Sequence, residues 1–129
     1  MTDFRPPESQ LAIRGGLWSF QGRVSRAEFW AILLGASALG LVIGLLSSLL
    51  AVLGGVGVAI GGIAYVVTFA ASIWVGLATQ VKRWHDRGKS GWMTLINLIP
   101  IVGAVWVLVE LGFLAGPKWA NPYGPDPTG

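Results

Sequence analysis

The sequence predicts an all-α membrane protein with three transmembrane helices, an N-terminal interfacial arm and a Pro/Gly-rich C-terminal tail. Two observations support this prediction. Of the 129 residues, 53% are hydrophobic and 12% are charged, which is half of the roughly 25% charged residues of a soluble domain. Residues 29–81 and residues 90–109 form two runs without Asp, Glu, Lys, Arg or His. We therefore place the arm at residues 1–27, the transmembrane domain at 28–115 and the tail at 116–129.

The longer uncharged run is expected to cross the membrane twice. About 20 apolar residues span the roughly 30 Å of hydrocarbon, so a single helix cannot use this run. The first helix is predicted over residues 28–53, with Ser25 and Glu28 in the S-x-x-E spacing of a capping box at its start. A glycine-rich turn at 54–57 leads to a second helix that runs over residues 58–82 or slightly beyond.

The first helix also carries a stripe of small residues, since they recur at every fourth position. Such a stripe allows another helix to approach closely in lipid. Its neighbour is expected to be either another helix of the same chain or a second copy. The stripe consists of Ala36, Gly40, Gly44 and Ser48.

The shorter uncharged run predicts a third helix over residues 91–114. Pro100 lies inside it and lacks a backbone N–H, so a kink or break is expected there. In a continuous helix Glu110 would lie about 27 Å beyond Trp92, near the far membrane interface. Alternatively, the segment re-enters at Pro100 and returns the tail to the starting side.

The basic residues predict the orientation. Eight of the nine lie before the first helix or between the second and third, and Lys118 is the exception. With three crossings these two regions share one face, which the positive-inside rule makes cytoplasmic. The N-terminus is therefore expected in the cytoplasm and the C-terminus in the periplasm.

Three short motifs in this order resemble a family of bacterial inner-membrane proteins, numbered 805 among the domains of unknown function. They are FQGRVSRAEFW, KRWHDRGKSGW with the following LIPIVG, and NPYGPDP. The chain departs from the family pattern at Lys82, Trp84 and Met93. The resemblance implies a small multi-pass inner-membrane protein and implies no reaction or catalytic residue. The matching positions are Phe20, Gly22, Arg23, Arg26, Glu28, Phe29, Trp30, Arg83, His85, Asp86, Ser90, Gly91, Trp92, Asn121, Tyr123, Gly124, Asp126 and Pro127.

The segment KRWHDRGKSGW allows four interpretations. It could be catalytic, it could contact anionic lipid headgroups between Trp84 and Trp92 as interfacial anchors, it could form a structural charge network, or it could serve transport in an oligomer. We favour the network, in which Asp86 pairs with Arg23 or Arg26, and Glu28 with Arg83 or Arg87. The candidate structural or lipid-contact residues are Arg23, Arg26, Glu28, Arg83, His85, Asp86, Arg87, Lys89, Ser90 and Trp92.

Composition narrows the function further. The chain has no cysteine and one histidine, which excludes thiolate catalysis and disulfides and disfavours a protein metal site. We expect a non-enzymatic protein without a cofactor or metal that acts through lipids or a membrane partner; the alternative is an oligomeric transport or channel subunit. The expected partners are membrane lipids, anionic ones included, and either a second copy or another membrane protein, but no nucleic acid.

Overall fold

The computed structural model describes residues 16–128, so most of the predicted N-terminal arm lies outside the described residues. Within 16–128 the chain is helical and contains no β-strand; an isolated antiparallel bridge joins Asn121 and Gly124. The helices are α1 (Arg26–Ala51), α2 (Gly55–Asp86), a 3₁₀ helix (Gly91–Leu98), α3 (Val102–Val107) and a π-helical turn (Leu108–Phe113). The described chain forms two compact units, residues 16–31 with 77–128, and residues 32–76.

Helix α1 begins directly after Ser25, as the sequence predicts. The Ser25 hydroxyl accepts the Glu28 N–H at 3.2 Å, and the Ser25 carbonyl accepts the Phe29 N–H at 2.9 Å. These bonds satisfy two amides that the first helical turn leaves without partners. The Ser25 hydroxyl also donates to the Glu28 carboxylate at 3.2 Å, so the two side chains contact each other directly.

Two helices are long and apolar enough to cross a membrane, α1 with 26 residues and α2 with 32. At about 1.5 Å per residue both exceed the roughly 30 Å of hydrocarbon. Their apolar windows are only 6% and 11% buried, whereas a core helix of a soluble protein buries its apolar face. The chain is a membrane protein, and the two crossings predicted from residues 29–81 correspond to these helices.

Glycines of α2 bring the two helices together in the unit of residues 32–76. A Cβ added at Gly57 would overlap the Leu50 carbonyl, and one at Gly61 would lie 2.9 Å from the Ser47 carbonyl oxygen. Gly57 and Gly61 therefore permit a backbone approach that any larger residue would prevent. The sequence analysis did not predict this packing role for the two glycines.

The predicted small-residue stripe of α1 contributes less to this packing. A Cβ at Gly44 would meet the Tyr65 ring at an ordinary 3.6 Å, and Gly40 faces open space. The Ser48 hydroxyl bonds back to the Gly44 carbonyl at 2.9 Å, as hydroxyls in apolar helices do. Intrachain packing thus explains only part of the stripe.

Helix α2 extends one turn beyond Lys82, to Asp86, and stops before a glycine. Gly88 has φ = 75°, the left-handed conformation typical of a helix C-terminus. Its N–H donates to the His85 carbonyl, and the Lys89 N–H donates to the Trp84 carbonyl, both at 2.9 Å. Because α2 ends here, the segments that follow can pack against its last turn, which includes Asp86.

Residues 91–113 do not form one helix, and the prediction of a third transmembrane helix is not confirmed. The 3₁₀ helix ends before Pro100, and Ile101 has φ = 64°, a conformation that is uncommon for a β-branched residue. Gly103 lies so close to the Ile96 carbonyl that a Cβ would overlap it. The chain therefore folds back at Pro100, which also lacks an N–H for helix continuation.

Residues 91–98 and 102–113 form the two legs of this hairpin, and each leg is too short to cross a membrane. Eight residues of 3₁₀ helix rise roughly 16 Å, and the twelve residues of α3 and the π turn rise roughly 18 Å. The returning leg brings Glu110 into an ion pair with Lys89, which precedes the hairpin. The predicted position of Glu110 near the far interface is therefore wrong, because the chain reverses at Pro100.

Candidate functional site: a buried charge cluster

A carboxylate between two buried arginines forms the centre of the charge cluster, which comprises Arg23, Arg83, Asp86, Arg87, Lys89 and Glu110. Asp86 Oδ1 accepts Arg23 Nε at 3.0 Å, and Asp86 Oδ2 accepts Arg83 Nη1. The side chains are only 1% (Arg23), 0% (Arg83) and 6% (Asp86) exposed. The predicted pairing of Asp86 with Arg23 is confirmed. It joins the N-terminal motif, FQGRVSRAEFW at residues 20–30, to the end of α2.

Three further hydrogen bonds of Arg23 go to the C-terminal tail. Nη1 donates to the Trp119 carbonyl at 2.8 Å and to the Gly124 carbonyl at 3.2 Å, and Nη2 donates to the Pro117 carbonyl at 2.8 Å. A guanidinium has five N–H donors in a fixed plane, so one side chain can hold several acceptors. Arg23 thus fixes the tail on the N-terminal motif.

Arg83 does the same for the returning leg of the hairpin. Its Nε donates to the Leu111 carbonyl at 2.7 Å, and its Nη2 donates to the Leu114 carbonyl. Nη1 also reaches the Val24 carbonyl at 3.4 Å. One buried arginine therefore connects α2, the N-terminal motif and the end of the hairpin, and its donors are used within the protein.

Glu110 forms the second ionic centre. It accepts a hydrogen bond from Lys89, lies 3.7 Å from Arg87 Nη2, and accepts Trp106 Nε1 at 3.1 Å. Burial raises the pKa of Glu110, but the Lys89 hydrogen bond and the charges of Lys89 and Arg87 outweigh it, so its pKa lies below the usual value. Arg87, which directly follows α2, also donates to the Ala115 carbonyl. This bond connects the residues after the hairpin to the end of α2.

His85 has a packing role that sequence analysis did not find. Its ring stacks on Tyr123 with centroids 4.0 Å apart and planes 2° apart. Its Nδ1 lies 3.0 Å from the Gly22 carbonyl oxygen, and its own carbonyl accepts Asn121 Nδ2 at 2.8 Å. A flat ring that also bonds to the backbone explains the histidine. The signal available in the sequence was the aromatic residue of NPYGPDP.

Glu28 does not pair with an arginine among residues 16–128, so that prediction is wrong. Its Oε1 accepts the Ser25 hydroxyl, and its Oε2 is buried without a hydrogen-bond partner in this part of the chain. Arg26 is exposed and donates to the Phe113 carbonyl at 2.8 Å. The network therefore contains Arg26 only at its edge, and Glu28 belongs to the helix cap.

The two tryptophans that bracket the loop differ. Trp92 is 79% exposed, which suits an interfacial anchor. Its backbone N–H donates to the Ser90 hydroxyl at 3.3 Å, and Ser90 thereby caps the 3₁₀ helix. Trp84 is fully buried, so its predicted role as an anchor is wrong. Lys82 is also buried and donates to the Gly16 carbonyl at 2.8 Å.

Comparison with known proteins identifies the family. The sequence profile described as "Protein of unknown function (DUF805)" matches residues 17–125. The chain belongs to this family. The matched range contains every residue of the charge cluster and the whole hairpin, residues 91–113. Both therefore lie within the family domain.

Curated relatives of the family come from Escherichia coli strain K12. "Inner membrane protein YhaH" is 33% identical over 108 residues, which cover 84% of this chain and 86% of the relative. "Inner membrane protein YhaI" is 28% identical, with 91% and 92% covered. "Uncharacterized protein YiiR" is 29% identical, with 90% covered in both. No solved structure matches the chain.

Proposed function

We propose that the protein is a non-enzymatic inner-membrane protein that acts through contacts with membrane lipids or a membrane-protein partner. The observation that carries the proposal is the division of its surfaces. The charges of the cluster are satisfied mainly by the protein's own carbonyls and carboxylates, while α1 and α2 expose long apolar faces. Such faces suit hydrocarbon or another membrane helix.

Asp86 and His85, the adjacent acid–base candidates of KRWHDRGKSGW, are already engaged. Both carboxylate oxygens of Asp86 bind arginines, and one face of the His85 ring is covered by Tyr123. A general acid or base needs a free position within hydrogen-bond reach of a substrate. Their engagement supports a structural role for the pair over an acid–base role.

We further propose a topology of two crossings and a re-entrant hairpin, with both ends of the chain on the cytoplasmic face. Support comes from the reversal at Pro100 and from the bonds of Arg23 to the tail carbonyls. The eight basic residues outside the tail favour the cytoplasm for that face. This arrangement replaces the periplasmic C-terminus expected from three full crossings.

Native mass spectrometry of the full chain, extracted in a mild detergent, tests the proposed function. We expect the chain to retain phospholipid or a defined membrane-protein partner at fixed stoichiometry. In parallel, the chain is reconstituted into vesicles loaded with ions or small solutes. Two results together would contradict the proposal and favour the transport alternative: solute-dependent flux in the vesicles, and mass spectra in which the chain retains neither lipid nor partner.

A further inference from the structure

A polar cavity of about 550 Å³ lies beside the charge cluster, in the unit of residues 16–31 and 77–128. Its volume falls in the roughly 300–1,000 Å³ range of small-molecule sites. The start of α1, the end of α2 and the tail all contribute to its walls. The lining residues are Ser25, Arg26, Asp86, Ala115, Gly116, Lys118, Asp126 and Thr128.

The cations of this cavity differ from those of the charge cluster because neither has a carboxylate partner among residues 16–128, whereas every cation of the cluster pairs with Asp86 or Glu110. Lys118 is exposed, and its ammonium has no hydrogen bond or ion pair with residues 16–128. Arg26 uses one Nη1 donor, on the Phe113 carbonyl, and has no carboxylate partner within the same described range. Two cations without a carboxylate partner in the described part of the chain therefore line one cavity, which suits a phosphate group.

The cavity also holds a carboxylate without a cation partner. Asp126 Oδ1 accepts the Thr128 N–H and hydroxyl at 2.9 and 2.7 Å; no lysine or arginine among residues 16–128 pairs with Asp126. Asp86, the other carboxylate of the lining, is already held by two arginines. Asp126 is therefore the carboxylate of this cavity that can pair with a ligand cation, whereas a purely anionic ligand would meet a like charge there.

We propose that this cavity binds the zwitterionic headgroup of an amine-bearing phospholipid. The phosphate lies against Arg26 and Lys118, and the primary ammonium lies against Asp126. The inference rests on the proposed function of lipid contact and names the lipid class. Phe113 and Leu114, which directly precede the lining residue Ala115, are both exposed and apolar, so acyl chains have an apolar surface beside the cavity.

Competitive lipid binding to the delipidated full chain tests the assignment. Dioleoyl phosphatidylethanolamine and dioleoyl phosphatidylglycerol are added in equal amounts in mild detergent, and bound lipid is counted by native mass spectrometry. The wild-type chain is expected to favour phosphatidylethanolamine. Asp126→Asn keeps the oxygen that accepts from Thr128 but removes the charge. It should weaken phosphatidylethanolamine binding about fivefold, the equivalent of roughly 1 kcal/mol per charge near a membrane surface, and should strengthen phosphatidylglycerol binding.

Two further variants separate a site from a general charge effect. Lys118→Gln should weaken both lipids about fivefold, because both contain the phosphate. Gln21→Lys, at an exposed position outside the cavity lining, changes the net charge as Asp126→Asn does and should leave the preference unchanged. An equal shift in Gln21→Lys, or no shift in Asp126→Asn when its unfolding matches wild type, would overturn the headgroup site but not the proposed function.

The remaining outcomes distinguish the lipid from other sources of the same chemistry. Soluble phosphoethanolamine is included as a competitor, and binding of this molecule without any lipid binding would overturn the lipid assignment. Absence of every phospholipid and of any membrane partner from the wild-type chain would overturn the proposed function as well. Retention of lipid without headgroup preference would overturn only the inference about the cavity.

Discussion

Replacing Asp86 with asparagine should destabilise the protein strongly. The change keeps the shape of the side chain but removes the charge that holds Arg23 and Arg83, whose side chains are 1% and 0% exposed. Removing one partner from a buried ion pair costs about 3–5 kcal/mol, because the remaining charge stays buried without compensation. Two arginines are affected here, so we expect a loss at the upper end of that range.

The assay is equilibrium unfolding of the full chain by SDS titration in mixed detergent micelles, followed by circular dichroism. Asp126→Asn is the matched control, since Asp126 forms no ion pair among residues 16–128 and its bonds to Thr128 involve an oxygen that asparagine retains. We expect the control to lie within about 0.5 kcal/mol of wild type. Equal, small losses for Asp86→Asn and Asp126→Asn would refute the role of the buried pair.

Three other changes test separate parts of the fold. Gly103→Ala should disrupt the reversal, because a Cβ would overlap the Ile96 carbonyl; limited proteolysis should then cut within the hairpin faster than in wild type. Ser25→Ala should cost about 0.5–2 kcal/mol of unfolding free energy through loss of the α1 cap, measured in the same SDS titration. The pKa of Glu110 is lower in the folded state than in the unfolded chain, so its contribution is present above the unfolded pKa and is lost as pH falls through the folded value. Glu110→Gln should lower stability at neutral pH and flatten this acid dependence, which an SDS titration repeated at several pH values detects.

The two long helices were predictable from the distribution of charged residues along the chain. A run without charged residues from 29 to 81 is too long for one crossing and too apolar for water. Ser25 and Glu28 located the start of α1 because capping depends on residues three apart in sequence. These features are local, and the sequence therefore records them.

The reversal of the third segment was predictable only as an alternative. Hydropathy gives the length of an apolar run but does not show whether the chain continues across the membrane or turns back. Pro100 indicates a break in the helix without specifying the angle between the two parts. The left-handed Ile101 has no sequence signature, since isoleucine seldom adopts that conformation. The fold-back and the resulting position of Glu110 depend on packing between distant residues.

Five of the six members of the charge cluster were predicted, but Glu110 was not, and the pairing was predicted only in part. Asp86 with Arg23 was among the expected pairs, whereas most bonds of Arg23 and Arg83 go to backbone carbonyls. A carbonyl is present at every residue, so the sequence cannot mark the ones that are used. The burial of Trp84 was also missed, because a tryptophan among basic residues at a helix end is equally typical of an interfacial anchor.

Cysteine accessibility tests the central claim, that the N-terminal motif and the tail lie on one membrane face. The chain has no cysteine, so single cysteines can be placed at the exposed positions Gln21, Val52 and Ala120. Intact cells and inverted membrane vesicles are treated with a membrane-impermeant maleimide. We predict that Gln21→Cys and Ala120→Cys label only in inverted vesicles, and Val52→Cys only in intact cells. Labelling of Ala120→Cys in intact cells, with Gln21→Cys protected there, would contradict the re-entrant hairpin and restore a third crossing.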